Sequence, residues 1–271
     1  ALDKGAMPGC RVVVAHEGKV LHNEAYGTTD GRTAVDDGTV YDLASITKVF
    51  ASTLSLMWLE ERGFMDRGDR LAQHLPELQG TALGERTFDQ VLSHTAGLTP
   101  WIPFYVEALE QPEVFASASS PKHTIEVADG LWMLESYCDS IWAQVVAAEV
   151  KPVGQERYSD LGYYAMKRII ERLTAMPLEK FVAEQFYQPL GLASMGFQPL
   201  ERHAKARIAP TEDDQVFRRQ MVHGRVHDPG AAMLGGVGGH AGLFADAMDC
   251  ARMMQMLLNG GIYGRYPAFR A

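Results

Sequence analysis

Ser45-Ile46-Thr47-Lys48 sets a hydroxyl and an amine three residues apart. On a helix that spacing puts both on one face, a turn from each other. A serine hydroxyl is a poor nucleophile at neutral pH and needs a neighbouring base. A lysine can serve when burial or nearby cations favour its neutral form. A serine in the first turn also meets the positive end of the helix dipole, which favours a developing oxyanion. The pattern suits acyl transfer through a serine ester. Alone it is a weak signal, because Ser119-Ser120-Pro121-Lys122 has the same spacing. There a proline lies inside a polar stretch, and no helix would hold the pair together. Ser45 could equally be a helix cap followed by a solvated lysine. The surrounding elements must separate the two readings.

Two strand-like runs, residues 11–16 and 20–26, flank Glu17-Gly18-Lys19 and predict a tight hairpin. A polar loop over 28–39 then leads to Tyr41-Asp42-Leu43-Ala44-Ser45. Beyond it Ile46, Val49, Phe50, Thr53, Leu54, Met57 and Trp58 recur at the spacing of one buried helical face, with Gly63 as a stop signal. Thr87 and Gln90 have capping-box spacing and announce a second helix that ends near His94-Thr95-Ala96-Gly97. Residues 100–121, rich in proline, serine and alanine, read as a long irregular insertion. Further helices are expected over 163–173, 178–187 and 247–258. No internal repeat is visible.

With 46% hydrophobic residues in 271, the chain can bury a sizeable core, which excludes disordered and fibrous classes. The formal charge of -9 comes without a basic block, so no nucleic-acid partner is expected. No run approaches the roughly 18 apolar residues of a spanning helix, and the start ALDKGAMPG lacks signal-peptide features. Cys10, Cys138 and Cys250 are odd in number and far apart; they fit ordinary packing and leave the compartment open. His223 and His227 have i, i+4 spacing, but Gly224 lies between them and no HExxH glutamate is present, so no metal site is expected. The absence of GxSxG sets aside an α/β-hydrolase nucleophile elbow.

Tyr41-Asp42-Leu43-Ala44-Ser45-Ile46-Thr47-Lys48 resembles the nucleophile segment of class C β-lactamases, related esterases and D-alanyl-D-alanine carboxypeptidases, in the serine β-lactamase and penicillin-binding-protein superfamily. Further segments follow in that family's order. Leu92-Ser93-His94-Thr95-Ala96-Gly97-Leu98 is similar to its HTSGL-type stretch and Tyr158-Ser159-Asp160-Leu161-Gly162 to its YxN motif. Phe181-Val182, Pro189-Leu190-Gly191-Leu192, Met195, Gly239-His240-Ala241-Gly242-Leu243-Phe244 and Met256-Leu257-Leu258-Asn259-Gly260-Gly261 complete the set. The resemblance implies an α/β chain of the α+β type, an antiparallel sheet flanked by helices plus a largely helical lobe. It reads as one domain over 1–271, with a sheet part at about 1–44 and a helical lobe at about 45–245.

The same resemblance implies Ser45 as nucleophile, with Lys48 and Tyr158 sharing proton transfer and Asp160 facing the substrate. Asp160 departs from the family's usual asparagine. An ionised carboxylate only accepts hydrogen bonds, whereas an amide also donates, so Asp160 is expected mainly to hold Lys48 in place, and efficient β-lactam hydrolysis is less expected. His240 invites confusion with the family's KTG-like strand, but its surroundings match an upstream glycine-rich segment, and it is expected to be a loop histidine near a turn. The KTG-like strand itself would follow the Leu257–Gly261 stretch, so the C-terminal strands and closing helix are expected to lie outside this sequence. The hairpin would then keep an exposed edge. The oxyanion hole would lack one donor, a loss of about 100-fold to 1,000-fold in rate.

The expected activity is hydrolysis of a β-lactam, a D-alanyl peptide or a small ester through a Ser45 acyl-enzyme, with no cofactor. The partner is then a small-molecule or peptide substrate, and the location the bacterial periplasm or cell envelope, with the cytoplasm left open. A competing reading comes from the YDLAS form and the long insertion, which look like the β-lactamase-like domains fused to family 3 glycoside hydrolases. Such a module would bind cell-wall fragments without turning them over.

Overall fold

A computed structural model describes residues 2–269. Gly9–His16 and Lys19–Gly27 pair antiparallel as the expected hairpin. Glu17 (φ 48°) and Gly18 (φ 73°) both adopt left-handed backbone, the requirement of a two-residue type I′ turn. The first strand packs against the helix Ala247–Leu258, while Val12, Val14, Val20 and Leu21 stay exposed.

Tyr41–Asp42 pairs antiparallel with Phe244–Ala245, with Tyr41 opposite Ala245 and Asp42 opposite Phe244. This short ladder docks the segment before Ser45 onto the glycine-rich stretch some 200 residues later. The helix that follows runs as a π segment over Lys48–Thr53 and as regular α-helix over Leu54–Glu61. Its buried face differs from the apolar stripe expected from spacing. Phe50 and Leu54 are buried, but Ile46, Val49 and Met57 are exposed, whereas Thr47, Lys48, Ser52 and Ser55 are buried. The π turns shift the side-chain phase, and each buried polar group has a partner. Thr47 Oγ1 accepts from the Leu243 amide, Ser52 Oγ donates to the Gly239 carbonyl (2.6 Å), and Ser55 Oγ donates to the Ala51 carbonyl.

The helix Leu161–Thr174 runs through the core, burying Tyr163, Tyr164, Met166, Ile169 and Ile170. A Cβ at Gly162 would lie 2.2 Å from Val91 Cγ1, so only glycine lets this helix approach the helix Phe88–Leu92. Leu178–Val182 continues as a π segment over Ala183–Tyr187. The expected irregular insertion is more ordered than its composition suggests. It holds a helix, Phe104–Leu109, anchored by buried Phe104 and Ala108, and the strand Phe115–Ala116. That strand joins an antiparallel sheet in which Leu131–Leu134 is central and His123–Ala128 lies on the other side. A second hairpin pairs Pro210–Asp214 with Gln220–His223. Within its loop the buried Arg218 binds Asp214 (2.8 Å) and Glu212 (3.1 Å) and donates to the carbonyls of Val226 and His227. Every named strand pair is antiparallel, and among the described residues no sheet exceeds three strands.

Candidate active site

Ser45 lies where the chain turns from strand into helix. Asp42 Oδ1 accepts the Ala44 amide (2.8 Å), and Ala44 adopts left-handed backbone (φ 45°), a strained conformation of the kind found at functional turns. Ser45 emerges exposed at the helix start. One turn on, the Lys48 side chain is 4% exposed. Its Nζ donates to Ser45 Oγ (2.8 Å), lies 2.7 Å from Asp160 Oδ1, and donates to the His240 carbonyl (3.2 Å). Two of these oxygens accept hydrogen bonds from Nζ, and Asp160 Oδ1 is its ion-pair partner without a hydrogen bond among the described residues. The ring of Tyr158 lies 4.9 Å from Nζ, and that of Tyr163 5.5 Å. The structure thus gathers Ser45, Lys48, Tyr158 and Asp160 around one nitrogen. Tyr158 remains half-exposed.

The Tyr158-Ser159-Asp160 stretch is held by the segment after the Phe88–Leu92 helix. The cap expected there is present, with Thr87 Oγ1 accepting from the Gln90 amide and Gln90 Oε1 from the Thr87 amide. Beyond the helix, the carbonyls of His94, Thr95, Gly97 and Pro100 accept the amides of Arg157, Gly154, Lys151 and Asp160. Ser159 Oγ donates to the Thr99 carbonyl at 2.6 Å and accepts the Leu161 amide. A Cβ at Gly97 (φ 73°) would meet the Lys151 carbonyl oxygen at 2.1 Å, so glycine is required for this close approach.

His240 lies in the expected loop, just beyond a turn, but its side chain is buried. Its side chain is 2% exposed, Nε2 pairs with Asp228 Oδ1 at 2.8 Å, and the ring stacks on Tyr164 with centroids 4.6 Å apart. Nδ1 is buried with no hydrogen-bond partner among the described residues. Burial pushes the Asp228 carboxyl up, but the charge and hydrogen bond of His240, the Ala231 amide and the Lys48 charge outweigh it, and the net shift is downward. Burial raises the Asp42 carboxyl, partly offset by the amides of His227 and Ala44 that it accepts. Spacing gave no sign of Asp228 or His240 as neighbours of Lys48. The Asp228-Pro229 pair is readable as a helix cap, and Asp228 does cap Pro229–Ala232, but its second partner is remote in sequence.

The second SxxK match lies exposed and outside any helix, with Ser120 Oγ accepting the amides of Lys122 and His123. His223 Nε2 bonds the Ile208 carbonyl, while His227 faces Glu212 at 3.2 Å. Among the described residues no three metal-ligating side chains converge, no helix is long and apolar enough to cross a membrane, and the three cysteines are unpaired. Burial raises the thiols of Cys138 and Cys250 to about 11 and about 12.

A family model described as Beta-lactamase matches residues 1–267. A protein of Escherichia coli (strain K12) named "Putative D-alanyl-D-alanine carboxypeptidase" is 30% identical over 97% of this chain and 63% of its own length. Its namesake in Salmonella typhimurium (strain LT2) is 31% identical with the same coverage. The chain therefore spans 63% of the length of these curated relatives. Among solved structures, a class C beta lactamase from Rhodobacter sphaeroides superposes with a TM-score of 0.69 at 20% identity, over 97% of this chain and 64% of that one. A penicillin-binding protein homologue from Caulobacter crescentus gives 0.69 at 21% identity, over 98% and 68%. At such identities the likeness speaks for the fold.

Proposed function

We propose that this chain, which belongs to the β-lactamase family, carries the nucleophile and proton-transfer groups of a serine acyl hydrolase. The observation that carries the reading is Lys48 Nζ, buried and shared between Ser45 Oγ at 2.8 Å and Asp160 at 2.7 Å, with Ser45 exposed at the helix start. Ser45 Oγ attacks the acyl carbon and its proton passes to the Lys48–Tyr158 pair, which then protonates the leaving amine or alkoxide. Water cleaves the Ser45 ester by the reverse transfers, so the balance is one acyl bond and one water converted to a carboxylic acid and a free amine or alcohol. Lys48 donates to Ser45 Oγ and to the His240 carbonyl and is ion-paired with Asp160. The pair takes the Ser45 proton when it is one proton short, as amine and phenol or as ammonium and phenolate, and Tyr158 is the phenol beside Lys48.

The names of the curated relatives favour a D-alanyl peptide over a β-lactam or a small ester, and that substrate class implies a bacterial envelope location. Intact-mass spectrometry of the full-length protein with a penicillin and a fluorophosphonate probe tests the reading. One adduct that disappears in Ser45→Ala is expected, and hydrolysis assays on the three substrate classes then rank them. No adduct, or one that persists in Ser45→Ala, overturns it. Binding of wall fragments without an adduct would point instead to a non-catalytic accessory module.

A further inference from the structure

Three contacts of His94 converge on Tyr158. His94 adopts left-handed backbone (φ 56°), and from there its carbonyl accepts the Arg157 amide (2.7 Å) while its Nδ1 accepts the Ser159 amide (3.2 Å). Those amides flank Tyr158 on either side. The imidazole lies against the phenol ring, with centroids 4.4 Å apart at 38°. Two hydrogen bonds thus fix the backbone of Tyr158 and one ring contact limits its side chain.

We propose that His94 is a positioning residue for Tyr158, and that it acts only as the neutral imidazole with its proton on Nε2. The proposal rests on Tyr158 being the proton-transfer group described above. An imidazole nitrogen accepts a hydrogen bond only when unprotonated, so the Ser159 contact dictates the tautomer. The groups facing the ring are Lys48 on the nucleophile helix, Tyr158, Asp160 and Glu156 on the adjoining loop, and Tyr163 on the Leu161–Thr174 helix. Burial first, and then the Lys48 charge, lower the imidazole below its ordinary value against the opposing pull of Asp160 and Glu156. The clamp is therefore intact at neutral pH and released as pH falls below the usual imidazole range. Protonation would set Nδ1–H against the Ser159 N–H and place a second positive charge near Lys48.

The test is the Ser45 acylation rate of the full-length protein with a fluorophosphonate between pH 5 and 8, in the parent, His94→Asn and His94→Phe. Asparagine tolerates left-handed backbone, offers Oδ1 to the Ser159 amide and does not titrate; phenylalanine keeps a ring and loses the acceptor. The expected result is that His94→Phe falls about 10-fold to 100-fold at every pH. His94→Asn recovers most of that loss and lacks the parent's decline on the acid side. Imidazole ¹⁵N spectra should show His94 Nδ1 unprotonated at pH 7. The inference is overturned if both variants keep the parent's rate and pH profile, or if the spectra place the proton on Nδ1. A parent that fails to label overturns the acyl-transfer reading instead, and the spectra still decide the tautomer.

Discussion

Gly239→Ala is a small wedge driven beside the groups around Lys48. A Cβ at that position would lie 2.3 Å from the Tyr163 carbonyl oxygen, with Lys167 Cβ and Ser52 Oγ each at 3.2 Å. Carbon and oxygen in contact normally keep about 3.3 Å, so the two backbones must separate by about 1 Å. Tyr163 is buried in the first turn of the Leu161–Thr174 helix, where its carbonyl has little room to yield. The glycine-rich segment therefore moves. It carries the Gly239 carbonyl, which accepts Ser52 Oγ, and the His240 carbonyl, 3.2 Å from Lys48 Nζ. Lengthening the second contact by that amount takes it beyond hydrogen-bonding range. The expected cost is about 1–3 kcal/mol of stability and about 100-fold in Ser45 acylation, the scale of a 1 Å misplacement. Calorimetry gives the first and single-turnover labelling the second. Gly80→Ala is the control, since its φ of 75° strains an alanine but nothing lies within 4 Å; it should lose about 1–2 kcal/mol and no labelling. A Gly239→Ala protein that labels at the parental rate would refute the role given to the His240 carbonyl, as would equal loss in Gly80→Ala.

Asp160→Asn keeps an oxygen for Lys48 but removes the charge, so chemical denaturation should show a loss of about 1–3 kcal/mol. Because the amide can also donate, acylation by a penicillin should rise relative to an ester probe, and an unchanged ratio would show that Asp160 does not face the substrate. Arg218→Met leaves the buried Asp214 and the partly exposed Glu212 without their guanidinium and should cost about 3–5 kcal/mol in urea titrations. Burial pushes the Asp214 carboxyl up, but hydrogen bonds from the Arg218 side chain and from the amides of Arg218, Phe217 and Val216 bring it to about 2. With the folded value below the ordinary 3.8, its stabilisation is full above pH 4 and is lost as pH falls through about 2. The parent should therefore lose stability over that window and Arg218→Met should lose less.

What could be read from the sequence was local. The Glu17-Gly18 turn, the Thr87–Gln90 box and the helix over 247–258 follow from spacing within a dozen residues, and the structure has each of them. The helix after Ser45 was legible as an element but not by its buried face. Ile46, Val49 and Met57 look like core residues, yet Thr47, Lys48, Ser52 and Ser55 are buried in their place. Spacing arguments assume that polar groups avoid the interior, and that fails where remote backbone satisfies them. The helix Phe104–Leu109 was hidden by the prolines around it. His240 lies in the loop expected of it, but its burial was not legible for a related reason: it depends on Asp228 and Tyr164, which no periodicity relates to it.

The oxygens around Lys48 differ in how replaceable they are, and this links the site to the stability of the fold. A buried ammonium is costly unless its hydrogens are all satisfied. Asp160 and the His240 carbonyl are fixed by packing, one through the ladder to Pro100 and Thr99, the other through the Gly239 stretch docked on Ser52. Ser45 is exposed, and water can stand in for its hydroxyl. Loss of Asp160 should therefore weaken activity and folding together, while loss of Ser45 should abolish acylation and leave the melting temperature almost unchanged. The segments that dock on the helix after Ser45 are held there in part by the charge they position, so here the polar groups around Lys48 support the fold that carries them.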